Sequence, residues 1–136
     1  MGVRMAVRYQ GDLHCDAVHE PSGARIATDA PKDNEGRGEA FSPTDLVGAA
    51  LGSCMLTVMG IVARRHGWEM RGARAEVEKE MIATPTRRIA RLGVRIEMPA
   101  GIPQSARPTL ERAAWTCPVH ESLHAELKQD VTFVWK

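Results

Sequence analysis

"SPTDLVGAALGSCMLTVMGIVARRHG", residues 42–67, decides how the rest of the chain is read. From Leu46 to Ala63 it holds no charged residue, yet Cys54 stands near its middle. Ser42 suits an N-cap, Pro43 the first helical position, and Asp45 the first turn, where its charge meets the positive end of the helix dipole. Arg64, Arg65 and His66 occupy the opposite, negative end, and Gly67 follows as a stop signal. These signals predict one long helix. It is just long enough to be weighed as a membrane span, and Gly48 and Gly52 have the small-residue spacing of membrane helix pairs. Gly60, Ser53 and Thr57 dilute its hydrophobicity, however, and no aromatic belt marks its ends. The expectation is a buried core helix and no membrane partner. A helix apolar on every side needs cover on every side. A domain of this size has little interior to give, so sheets and a second copy of the chain are expected to share the task.

Outward from the helix, the flanking segments alternate. Val3, Met5, Val7 and Tyr9 interleave with Arg4, Ala6 and Arg8, which predicts a strand with one buried face. Turns at "QGD" and "EPSG" separate it from Leu13, Cys15 and Ala17 and from "ARIAT", making three antiparallel strands. Residues 29–41, "DAPKDNEGRGEAF", carry neither period and form a loop long enough to be expected to cover or line a site. After the helix, Ala73, Ala75 and Val77, then Ala90, Leu92, Val94, Ile96 and Met98, predict two strands flanking "ATPTRR". A short helix broken at Pro108 follows from Pro103, then another beginning at Pro118, then a closing strand "VTFVWK". The order predicts an α+β fold in one domain, residues 1–136.

Charge excludes one broad class. The 136 residues carry 18 basic and 17 acidic side chains, a net charge of +1, so no strong field draws the chain to nucleic acid. "MGVRMAVRYQ" lacks the continuous apolar centre of a secretory signal, and Ala6 stands where a myristoylation motif needs Ser or Thr. Cys15, Cys54 and Cys117 are odd in number and widely spaced, unlike a secreted disulfide framework. A cytoplasmic location is expected.

Each thiol has a bland reading and a sharp one. Cys54 in an apolar helix reads first as a small buried hydrophobe, with burial opposing ionisation unless a cation or donor stands near. Cys117, in "WTCPVHESL", falls at a helix start, where free backbone N–H groups favour thiolate. Cys117, His120 and His124, spaced by three and four, would share a helical face and could ligate zinc if His14, Cys15 or His19 supplied a fourth ligand. Cys15, Trp68, Trp135, Met55 and Met59 read as packing residues, while Trp115 can also wall a substrate pocket.

"GEAFSPTDLVGAALGSCM" followed by "TCPVHESL" resembles the OsmC/Ohr family of thiol-dependent peroxidases, in its OsmC-like branch, along essentially the whole chain. The resemblance implies an intertwined homodimer with antiparallel sheets around a long buried central helix and sites at the subunit interface. It also implies an oxidative-stress role without a cofactor or metal. Hydroperoxides, preferentially organic ones, are the implied substrates and a dithiol the implied reductant. Cys54 would then be peroxidatic, and Cys117 would resolve its sulfenic acid as a disulfide. Where the family places an activating glutamate, this chain has Thr44. Asp45 is one step away and turned about 100° around the helix, so Glu39 is the better substitute. The cation that holds Cys54 as thiolate is assigned to Arg37 ahead of Arg25. Because of that departure, a non-catalytic dimer binding a small ligand or a metal stands as the alternative.

Overall fold

A computed structural model of the chain describes residues 2–136. The chain divides into two compact units, one ending at Leu46 and the other beginning at Val47.

The first unit holds three strands, β1 (Met5–Gly11), β2 (His14–His19) and β3 (Arg25–Asp29), in that spatial order and all antiparallel. The β1–β2 turn is tight because Gly11, Asp12 and Leu13 all take positive φ, at 90°, 53° and 60°. The expected strands are there, but the expected buried face of β1 is not. Met5, Val7 and Tyr9 are 65, 66 and 66 % exposed. An alternating pattern reports a face made for burial; it does not report that the same chain supplies the cover.

The loop after β3 is pinned by its backbone. The Asp29 N–H donates to the Phe41 carbonyl, the Ala30 N–H to Leu13 and the Gly38 N–H to Ala30. A side chain at Gly36 would overlap the Ala30 carbonyl, so this crossing admits only glycine.

Helix α1 (Pro43–His66) begins and ends where its local chemistry predicts. The Asp45 N–H donates to Ser42 Oγ at 3.1 Å, and the Ser42 N–H donates to Asp45 Oδ2 at 2.9 Å, a reciprocal cap at the first turn. At the other end Gly67, with φ 72°, donates to the Arg64 carbonyl while the Trp68 N–H reaches the Ala63 carbonyl, which closes the helix in a Schellman turn.

The second unit continues with β4 (Arg74–Ile82), β5 (Arg88–Glu97), α2 (Arg107–Ala114), α3 (Pro118–Ser122) and β6 (Lys128–Val134). Its sheet runs β4-β5-β6, with β4 and β5 antiparallel. One pairing departs from the expected antiparallel sheets: β6 is parallel to β5. The connection from Met98 to Leu127, with both short helices in it, is long enough for the crossover that parallel strands need. Pro108 does not break a helix. It lies in the first turn of α2, where its missing N–H costs nothing.

The core of this unit joins Leu51, Met55 and Met59 of α1 to Leu92, Val94 and Ile96 of β5 and to Leu110, Ala114 and Cys117. On α1 the buried positions are Gly48, Leu51, Gly52, Met55, Met59 and Ala63, a single stripe at helical spacing. Its other side, with Ala50, Ser53, Thr57 and Ile61, is exposed in this chain. By length and composition alone α1 could cross a membrane, yet only 33 % of its most apolar 18-residue window is buried within the chain. The buried stripe packs closely because of its glycines: a Cβ on Gly52 would lie 2.9 Å from a Val77 methyl, and one on Gly48 would lie 3.3 Å from the other.

Removing a glycine from a helix interior ordinarily stabilises it. Gly52→Val should do the reverse, lowering stability by about 1–3 kcal/mol because the added methyls overpack against β4. Urea unfolding with an unshifted midpoint would show that α1 does not approach the sheet this closely.

Candidate active site

The second unit brings two sulfurs together. Cys54 lies on α1 beside the buried stripe and is half-buried; Cys117 immediately precedes α3 and is 0 % exposed. Both are free thiols. Cys117 caps α3, its Sγ accepting the His120 N–H at 3.4 Å, and the Glu121 N–H donates to its carbonyl at 3.1 Å. The Cys54 side chain is near enough to Cys117 to act on its ionisation.

The capping position was expected to favour the Cys117 thiolate, but the balance runs the other way. Burial pushes this thiol up from its ordinary value, and the neighbouring Cys54 side chain pushes in the same direction. The N–H groups of His120 and Val119 pull down and are outweighed. Cys117 is therefore held toward its neutral thiol form.

Around the pair, the Trp115 ring stands edge-on to His120, centroids 4.8 Å apart, and is 37 % exposed. His120 Nδ1 lies 2.6 Å from Gln129 Oε1 on β6, and Gln129 Nε2 donates to the His120 carbonyl at 3.3 Å. Nothing local in the sequence marks a strand glutamine, Gln129, as the partner of a histidine in a short helix. The shared helical face of Cys117, His120 and His124 does not form. Helix α3 ends at Ser122, Leu123 is extended, and His124 Nδ1 accepts the Glu126 N–H instead. Among the described residues, no three His, Cys, Asp or Glu side chains gather as a metal ligand set.

Arg37 and Glu39 belong to the first unit. Arg37 lies 3.8 Å from the Asp12 carboxylate, both largely exposed, and the Glu39 N–H donates to Asp29 Oδ2 at 3.1 Å. Arg25 opens β3 and is exposed. Thr44 Oγ1 lies 3.2 Å from Ser42 Oγ. Asp29 itself is 6 % exposed and takes a second bond, 2.6 Å, from His14 Nδ1. Gln10, Asp12, His14, Asp29, Arg37, Glu39 and Ala40 line a cavity of about 360 Å³. The sequence offers His14 only as a metal ligand; its partner is the carboxylate directly opposite it on the neighbouring strand, His14 pairing with Asp29 across β2 and β3.

The fold is thus an α+β chain in which a free thiol on the long helix, Cys54, neighbours another at the start of α3, Cys117. The model of the OsmC-like protein family matches residues 36–132, and the chain belongs to that family. No curated protein matches it. Among solved structures, it is 42 % identical to a candidate osmotic stress induced and detoxification response protein from Psychrobacter arcticus 273-4, with a TM-score of 0.91 over 98 % of this chain and 97 % of that one. An OsmC-like protein from Mycoplasma pneumoniae has a TM-score of 0.81 at 16 % identity, over 99 % of this chain and 97 % of that one. An organic hydroperoxide resistance protein OsmC from Legionella pneumophila has a TM-score of 0.78 at 14 % identity, over 98 and 97 %. The last two likenesses carry the fold.

The His14–Asp29 pair gives the loop a pH dependence. Its hydrogen bond to Asp29 holds His14 above its ordinary 6.5, so that stabilisation is complete below 6.5 and lost as pH climbs through the raised value. The same bond holds Asp29 below 3.8, a contribution present above 3.8 and lost as pH falls through the lowered value. The protection factor of the Glu39 amide against hydrogen exchange should therefore be greatest between 3.8 and 6.5. In His14→Ala the decline on the alkaline side should vanish; a wild-type profile flat across both limits would refute the coupling.

Proposed function

We propose that this chain is a cysteine-dependent peroxidase that reduces organic hydroperoxides, with Cys54 as the peroxidatic and Cys117 as the resolving residue. The observation that carries the reading is the meeting of two free thiols, one half-buried and one sealed and protonated beside it. A second thiol beside the first is what a sulfenic acid formed on Cys54 needs in order to be resolved as a disulfide. Membership of the OsmC-like family supports a redox role, and the Legionella relative is named for organic hydroperoxide resistance.

In this reading the Cys54 thiolate attacks the terminal peroxide oxygen, the O–O bond breaks, and the alkoxide leaves to be protonated as an alcohol. Cys54 is oxidised to sulfenic acid. Cys117 then displaces its hydroxyl as water and forms the disulfide, and a dithiol donor restores both thiols by exchange. The fixed cation that holds the thiolate and steadies the leaving alkoxide is assigned to Arg37, and the carboxylate that orients it to Glu39; both assignments follow the family resemblance. Trp115 is assigned to the apolar wall of the substrate site, which its partial exposure next to Cys117 favours.

The working form is assigned as a homodimer. The outward stripe of α1 and the Met5, Val7 and Tyr9 face of β1 are apolar surfaces that the single chain leaves open, and a second copy would cover them. A reducing, cytoplasmic compartment is assigned because the cycle ends on reduced thiols.

Stoichiometric organic hydroperoxide should consume two thiols per chain and leave a Cys54–Cys117 crosslink on peptide mapping. Cys117→Ser should stop at a sulfenic acid that dimedone captures, and Cys54→Ser should not react. Arg37→Ala should slow the first step by roughly a hundredfold. A wild-type chain whose thiol count is unchanged by excess hydroperoxide would sink the reading.

A further inference from the structure

The reading above gives Cys117 a demanding task. It must surrender a proton and strike the Cys54 sulfur, yet its burial favours the neutral form. The described influences that favour its thiolate are two backbone N–H groups, those of His120 and Val119. Both lie in a helix of only five residues, Pro118–Ser122, too short to hold its own shape. Something else has to hold them on the sulfur.

We propose that Gln129 and His120 form a clasp that positions Cys117 for disulfide formation, an inference that rests on the two-cysteine reading. One amide grips one residue twice: Gln129 Oε1 meets His120 Nδ1 at 2.6 Å, and Gln129 Nε2 donates to the His120 carbonyl at 3.3 Å. Since Oε1 only accepts, His120 carries its proton on Nδ1 in this arrangement. The backbone of the residue so gripped is the one whose N–H meets Cys117 Sγ at 3.4 Å. Trp115 packs edge-on against the ring, 4.8 Å between centroids. Gln129 is a firm anchor, because in the parallel ladder it sits opposite Leu92, a core residue with 0 % exposure.

The step it serves balances simply. The Cys117 sulfur forms a bond to the Cys54 sulfur while the S–OH bond of the sulfenic acid breaks. Hydroxide leaves and combines with the proton from Cys117 as water; both sulfurs end oxidised, with the hydroperoxide as the oxidant of the preceding step. Disulfide formation is sensitive to approach geometry, and a small misplacement of a reacting group can slow a step strongly. The first step, attack of Cys54 on the peroxide, makes no use of the clasp.

Rapid mixing with an organic hydroperoxide separates the two steps, with dimedone capture reporting sulfenic acid and mass spectrometry reporting disulfide. Gln129→Leu should form sulfenic acid at the wild-type rate but the disulfide about tenfold more slowly, the effect of one lost hydrogen-bond contribution, and His120→Ala should slow the disulfide step similarly. His120→Asn, whose amide nitrogen can stand in for Nδ1, should restore most of that rate. Unchanged disulfide formation in Gln129→Leu overturns the clasp while leaving the two-cysteine reading intact, as does a loss of both steps together, which would mark the pair as structural only. A wild-type chain that forms no sulfenic acid overturns both.

Discussion

The close approach of α1 to its sheet across Gly48 and Gly52 is the constraint on which the second unit depends. A Cβ at either position would meet Val77, Ala75 or Leu92 side chains at or inside van der Waals contact, so only glycine lets the helix lie this close. That approach sets the depth of everything else on the helix. Leu51, Met55 and Met59 fill the space beyond it, and Cys54, next to this stripe but not in its centre, is left half-buried. Raising the helix by the thickness of a methyl group would move Cys54 relative to Cys117, which is anchored by a different set of contacts. The methionines suit this arrangement because an unbranched thioether adapts to the irregular gap that two glycines create.

At the thiol pair, burial distinguishes two chemically identical groups. Cys117 is sealed at the start of α3 and held toward its neutral form, while Cys54 stands half-buried beside it. Two like groups in one apolar site cannot both ionise cheaply. The same logic, a buried acceptor fixing its neighbours, recurs in the first unit. There the Asp29 carboxylate takes His14 on one oxygen and the Glu39 N–H on the other, so one buried side chain ties the loop to the sheet.

What the sequence reveals follows the range of the interactions. Both ends of α1 are legible because Ser42, Asp45 and Gly67 act within a turn of where they stand. The five antiparallel strands are legible from alternation. The parallel placement of β6 is not, since no residue in it records which neighbour it will pair with. Pro108 misleads for a related reason: a proline ends a helix or begins one depending on where the preceding turn closes, and here a short tight turn at Gln104–Ala106 closes just before it. The meeting of Cys54 and Cys117 is invisible to spacing and entered through family resemblance. The His14–Asp29 and His120–Gln129 contacts span 15 and 9 positions. Neither leaves a local trace.

The two faces of α1 differ in a way that bears on its surroundings. Its buried stripe carries methionines and leucine, while its exposed stripe carries Ala50, Ser53, Thr57 and Ile61. A helix side meant for water would ordinarily bear charges, and none appears until Arg64. The one threonine on that stripe already donates its hydroxyl to the Ser53 carbonyl, 2.8 Å away. Such a hydroxyl can leave water without losing its partner, because the bond it makes is internal to the helix. Small side chains with internally satisfied hydroxyls are what lets one helix backbone come close to another surface. The outward stripe therefore has the composition of a contact and not of a solvated face, which is the physical ground on which the proposed second copy stands.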